Sequence, residues 1–217
     1  SAYYWPEYAG TAPYVTAPAE HLAAAGHDVH VVAAFPHYPE WRDIQGRKRR
    51  LTERRNGVTI HRAWHYIPSS PGTIQRAIYE ATLMASGRIA QRGVPTPDAI
   101  IGVSPALASG ALAQRASAHF KVPYGLIVHD LFSKGATQTG MAGGGVSAAL
   151  EKVEISVAAG ASKLLVLTEA FREHFVARGI EADRIVVAPP WSMRSLRHVD
   201  RTQARQSMGW QDGEFVC

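Results

Sequence analysis

Cysteine is almost absent from this chain: the one present is Cys217, the last residue. A disulfide framework is therefore excluded, which fits a reducing compartment. Long apolar runs are lacking too. No stretch approaches the roughly 20 residues that cross a bilayer. No secretory leader is visible, although Ser1 is not a natural start. Acidic residues are outnumbered, 18 Asp and Glu against 23 Lys and Arg, for a formal charge of +5, and ten histidines add to it in mild acid. Such an excess suits anionic partners (nucleotides, anionic lipid, nucleic acid), and it also serves plain solubility. Neither Gly-x-Ser-x-Gly nor a P-loop occurs, so hydrolase and kinase readings lack support. The absence of Gly-x-Gly-x-x-Gly counts against an ordinary NAD-dependent dehydrogenase.

What is present is an apolar fraction of 46%, normal for a globular protein, in 217 residues. That length allows one large domain, or a domain plus part of another. Apolar runs predict strands over Val29–Ala34, Val58–Trp64, Ala99–Val103, Tyr124–Val128, Leu164–Leu167 and Ile185–Ala188. Several are continuously apolar, as strands covered on both faces are. Helical periodicity separates most of them: Val15–Ala25 stopped by Gly26, Thr73–Arg92, Ala106–Phe120, a helix lined by Leu150, Val153 and Val157, and Glu169–Arg178 capped by Thr168. In Thr73–Arg92 the residues Ile74, Ile78, Ala81, Ala85 and Ile89 mark one apolar face. The Gly-rich run around Gly143–Gly145 reads as a mobile loop.

Alternating strands and helices predict an α/β fold: Rossmann-like, doubly wound, with a mostly parallel sheet and helices on both faces. Ligands of such folds sit beyond the carboxyl ends of the strands. The candidates there are Ser104, His129-Asp130, Thr168-Glu169 and Pro189 to Ser192. The opening loop, with Pro6, Gly10 and Pro13, leads into the first helix. Glycine at a helix N-terminus lets an anion approach free backbone N–H groups. An ordinary loop entering an ordinary helix reads the same way. This loop would follow a first strand of which only Ser1 to Tyr4 remain. At the far end Glu214 to Cys217 reads as a strand just starting. The expected organisation is a Rossmann-like domain over 1–195, its first strand truncated. A linker and the start of a further domain occupy 196–217.

In order, the segments WPEYAGTAPY, LAAAGHDVHVV, PHYPEWRD, GRKRRLTERRNGVTIHRAW, PDAIIGVSP, VHDLF, LLVLTEAFREHFVARGI, DRIVVAPPW and ARQSMGWQDGEFVC run along nearly the whole chain. Each is short and undiagnostic, but the ordered series resembles the N-terminal, acceptor-side half of family 4 GT-B glycosyltransferases, among them the bacterial colanic-acid and O-antigen sugar transferases. The resemblance implies two Rossmann-like domains facing a cleft, with the donor-binding domain beyond Cys217 and the isolated chain inactive. It implies a sugar-nucleotide donor and a glycan, small-molecule or lipid-linked acceptor. Transfer would be retaining, without a metal or other cofactor, in cell-envelope polysaccharide assembly. The location would be cytoplasmic, peripheral to the inner face of the plasma membrane.

Gly10 and Thr11 would then stabilise charge on the leaving diphosphate. His129 would contact the reacting sugar or acceptor, with Asp130 orienting it or binding the acceptor. Ser104, Glu169 and Trp191 would touch donor or acceptor. Structural readings stand beside these: His129 finishing a strand, Asp130 forming a turn, Glu169 favouring a helix dipole. Arg47, Lys48, Arg49, Arg50, Arg54 and Arg55 form a basic hairpin that suits anionic head groups, or is merely solvated. It lacks the aromatic interleaving of a nucleic-acid surface. His61 and His65, four apart on a strand-like segment, would share a face without converging on a metal. Two departures from the family pattern are Pro189-Pro190-Trp191, where Pro-Asn is usual, and Ser133-Lys134 after Phe132. The competing readings are a free-standing Rossmann-like module that binds without catalysis and, less well supported, a nucleotide-sugar epimerase.

Overall fold

A computed structural model describes residues 1–43, 49–69, 72–131, 144–189, 200–211 and 213–215, and every structural statement below concerns these. Seven strands are found: β1 (His30–Ala33), β2 (Arg50–Arg55), β3 (Val58–Ala63), β4 (Ile100–Ser104), β5 (Tyr124–Val128), β6 (Lys163–Val166) and β7 (Ile185–Val187). Six α-helices accompany them: α1 (Ala12–Ala24), α2 (Thr73–Gln91), α3 (Leu107–Phe120), α4 (Gly144–Gly160), α5 (Glu169–Val176) and α6 (Arg201–Met208). Strands β4-β5-β6-β7 form a fully parallel sheet in chain order, flanked by helices. A second sheet has the order β1-β3-β2, with β1 parallel and β2 antiparallel to β3. The Asn56-Gly57 turn between β2 and β3 has positive φ at both residues, 46° and 82°, as a two-residue hairpin requires.

The expectation was one mostly parallel sheet. Here there are two sheets, and their edge strands β1 and β4, with helices α1, α2 and α3, line an apolar slot of about 520 Å³. Ser1 to Tyr3 run beside β1, and the Ser1 ammonium donates to the Val32 carbonyl at 3.0 Å.

The local punctuation follows the sequence closely. Helix α1 starts three residues before the predicted Val15, because Pro13 lies in the first turn, where its missing N–H is not needed. Thr168 caps α5 by accepting from the Phe171 N–H at 3.3 Å. Two expectations fail. Gly144 and Gly145 belong to α4 rather than to a mobile loop; the preceding residues 132–143 lie outside the described set. The isoleucine stripe of α2 faces outward, with Ile74 73% exposed. The buried face is Tyr79, Leu83, Ser86, Gly87 and Ala90. Gly87 explains the choice: a Cβ there would lie 2.4 Å from Leu112 Cδ1, so small residues let α2 and α3 approach closely. Hydropathy alone favours isoleucine and misses a face built for close approach.

The main core gathers Leu126, Val128, Val157, Leu164, Val166 and Phe175 between the four-stranded sheet and its helices. Each large apolar side chain so buried contributes roughly 1.5–3 kcal/mol before entropy is counted. This rigid sheet aligns the carboxyl ends of its strands, where the candidate residues emerge.

Candidate functional site

Burial begins with the opening loop. Glu7 is buried, and its carboxylate accepts three backbone N–H groups: His37 and Tyr38, both at 2.8 Å, and Tyr4 at 3.2 Å. Burial pushes this carboxyl up, and the three N–H donors oppose the shift. Glu7 thereby staples the loop to the segment following β1. The staple sets Tyr38 under Gly10, whose φ is 60° and where an added Cβ would lie 3.1 Å from Tyr38 Cε1. Only glycine suits both the backbone and the space. Thr11 is the N-cap of α1 without a side-chain cap bond, and its Oγ1 is buried with no hydrogen-bond partner.

His129 leaves the end of β5, and its ring lies 5.9 Å from that of Tyr14 in the first turn of α1. Its Nε2 is buried without a hydrogen-bond partner, and burial lowers its pKa, so the imidazole is neutral near pH 7. Tyr14 thus joins the two strongest predicted features, the Gly10-Thr11 turn and His129. Ser104 braces the same rim: its hydroxyl donates to the Asp130 carbonyl at 3.2 Å, tying the end of β4 to that of β5. The Asp130 carboxylate accepts from the Leu131 N–H at 2.8 Å. Glu169 is exposed at the start of α5 and pairs with Arg172 at 2.6 Å. Trp191, Arg47 and Lys48 lie outside the described residues.

Within the basic hairpin, Arg49 and Arg50 are exposed. Arg54 Nε donates to Thr59 Oγ1 at 3.2 Å. Arg55 is engaged: it bonds Glu20 at 2.8 Å and stacks over Trp5 at 4.5 Å. The expected sharing of a face by His61 and His65 is corrected, because β3 ends at Ala63 and His65 leaves the strand. His61 instead stacks on His30, with ring nitrogens 2.9 Å apart.

Sequence reasoning missed Glu7, His37, Arg76 and Glu80, and weighed His65 only as a metal ligand. His37 and His65 follow β1 and β3, so the rule that selected His129 also selects them once it is applied to every parallel strand. Burial pushes His37 down to about 4 and His65 down to about 3. Glu80, on α2, accepts the Ala108 N–H at 2.8 Å, and burial pushes it up to about 7. The Trp5-Pro6, Tyr38-Pro39 and Ser104-Pro105 peptides around this rim are cis.

Comparison with solved structures finds a sucrose-phosphate synthase from Thermosynechococcus elongatus at a TM-score of 0.64 and 16% identity. The alignment covers 94% of this chain and 48% of that one. This likeness concerns the fold alone, and the fold is of the GT-B type. Among curated proteins, a putative colanic acid biosynthesis glycosyl transferase, WcaI of Escherichia coli, is 28% identical over 209 residues, 90% of this chain and 50% of that protein. The chain therefore spans about half the length of the curated relative it matches. The glycosyl transferase 4-like domain matches residues 9–191, which include the opening turn, both strand-end histidines and the His129 rim. By that match the chain belongs to the glycosyl transferase 4-like domain family.

Proposed function

We propose that this chain is the acceptor-side half of a retaining glycosyltransferase, which moves a sugar from a sugar nucleotide to a glycan, small-molecule or lipid-linked acceptor in cell-envelope polysaccharide assembly. The observation that carries the reading is the Tyr14 link between the Gly10-Thr11 turn and His129. It sets free helix N-terminal amides near a neutral imidazole at the strand ends. The amides would receive charge growing on the leaving diphosphate. Neutral His129 would exchange a hydrogen bond with a sugar hydroxyl as that charge develops. Asp130 and Ser104 hold the rim on which the acceptor rests, while Glu169 and Trp191 stand as further contacts to donor or acceptor. The rest of the diphosphate would be held by amides and cations of a donor-binding domain, with no metal.

The enzyme would work at the inner face of the plasma membrane. Arg49 and Arg50 are exposed, and so is the isoleucine stripe of α2, while Glu80 of that helix turns inward. Exposed cations and exposed apolar side chains are both suited to an anionic lipid surface.

A panel of sugar nucleotides offered to the full-length protein with a lipid extract tests this reading. One donor is expected to release nucleoside diphosphate only when the extract is present, at a rate unchanged by EDTA, giving a product of the donor's anomeric configuration. No release with any donor would overturn the transfer reading. Loss of activity in EDTA would overturn the metal-free part of it.

A further inference from the structure

The carboxyl ends of β1 and β3 carry a second group of side chains that the transfer step leaves unused. His37 and His65 are 0% and 2% exposed, and their rings meet edge to face at 5.0 Å. Both pack on Tyr79, at 5.4 and 5.5 Å. Half-buried Trp41 closes the group, 5.5 Å from His37 and 5.9 Å from Tyr79. Arg76, from the first turn of α2, lies over the Trp41 ring at 4.8 Å.

This box is built at a cost. Nε2 of both histidines and Nε and Nη1 of Arg76 are buried with no hydrogen-bond partner. Each such atom forfeits about 1–3 kcal/mol, because buried polar groups are as a rule paired. Arg76 makes no ion pair among the described residues. Glu80, one turn along α2, uses its carboxylate on the Ala108 N–H, and Glu7 uses its own on three backbone N–H groups. Trp41 has a φ of 50°, a region that costs a bulky residue strain and that recurs at ligand clamps. Unpaired donors and acceptors, a cation without a contact ion pair among the described residues and a strained aromatic cover meet at one place. A ligand that swings Trp41 outward would satisfy them all.

We propose that the Trp41–Arg76–His37–His65 box is a subsite for a pyranose carrying an oxyanion, a carboxylate or a phosphate, on the acceptor of the transfer reaction. The sugar ring lies on the indole. Its hydroxyls donate to the histidine Nε2 atoms, and its oxyanion accepts from Arg76. This assignment rests on the transferase reading for the word acceptor but not for the binding itself.

Calorimetric titration of the protein with glucuronate, glucose 1-phosphate, glucose and inorganic phosphate tests it. At least one charged sugar is expected to bind about tenfold more tightly than glucose. Glucuronate as the stronger ligand marks a carboxylate, and glucose 1-phosphate marks a phosphate. Arg76→Gln should erase the preference, and Trp41→Phe should weaken both charged sugars while near-UV circular dichroism shows a folded protein. Equal affinity for charged and neutral sugars overturns the proposal, as does no binding, an unchanged preference in Arg76→Gln, or inorganic phosphate matching glucose 1-phosphate. No arm involves turnover, so failure here leaves the transfer reading intact. Failure of transfer likewise leaves this binding to be judged alone.

Discussion

Arg62→Met is expected to destabilise the protein by about 3–5 kcal/mol, the cost of breaking a buried, fully paired charge from one side. Arg62 is 1% exposed in β3, the central strand of its sheet. Its Nε donates to Glu53 at 2.6 Å, its Nη1 donates to the Ala34 carbonyl at 2.7 Å, and its Nη2 reaches the Trp5 carbonyl. One guanidinium therefore pins β2, the end of β1 and the opening loop to a single strand. Methionine fills much of the volume and satisfies none of the acceptors. At roughly 2–4 °C per kcal/mol for a domain this size, the melting temperature should fall by about 10 °C. Arg62→Met combined with Glu53→Leu should recover part of the loss, because the stranded carboxylate is gone. A fall below about 1 kcal/mol in chemical denaturation would show that the three bonds do not carry the loop.

The second large effect is with pH. Histidines held below their usual pKa stabilise the fold above pH 6.5, and that stability is lost as pH falls. His37 and His65, pushed down to about 4 and about 3, both lose it from pH 6.5 downward. Glu80 acts with opposite sign. Pushed up to about 7, it gains stability as pH falls from 7 to 4.5. From these three groups the balance between pH 7 and pH 4.5 is a loss of about 2 kcal/mol, a sizeable share of a domain's stability. Urea denaturation at pH 7 and pH 4.5 should show the drop, and His65→Leu should abolish nearly all of it. Equal pH dependence in His65→Leu and the parent would mean that the box does not govern acid sensitivity.

The two largest effects come from residues that the sequence marks faintly. Arg62 sits in VTIHRAW, a segment that reads as a plain strand, and nothing local says that three carbonyl or carboxylate groups converge on it. That convergence is tertiary. His129 was legible because it follows a continuously apolar strand, and Gly10 because it precedes a helix. The link through Tyr14 was not, since it joins residues more than a hundred positions apart. The strands other than β2 were readable because buried sheet strands are apolar on both faces, and each predicted run overlaps one. The isoleucine stripe of α2 misled for a physical reason. Tyr79, Ser86 and Gly87 form a buried face of mixed polarity, chosen by ring packing and close helix approach. The split into two sheets was invisible as well, because a gap between strands leaves no local mark.

The central claim is that the rim joining Gly10-Thr11 to His129 is where transfer takes place. Turnover and melting temperature of His129→Ala in the full-length protein test it most directly. Nε2 of His129 has no partner among the described residues, so its loss should cost little stability, on the order of 1 kcal/mol. Transfer should fall by about a hundredfold or more, the usual result of removing a preorganised hydrogen-bonding group from a reacting centre. A folded His129→Ala protein with unchanged turnover would contradict the account.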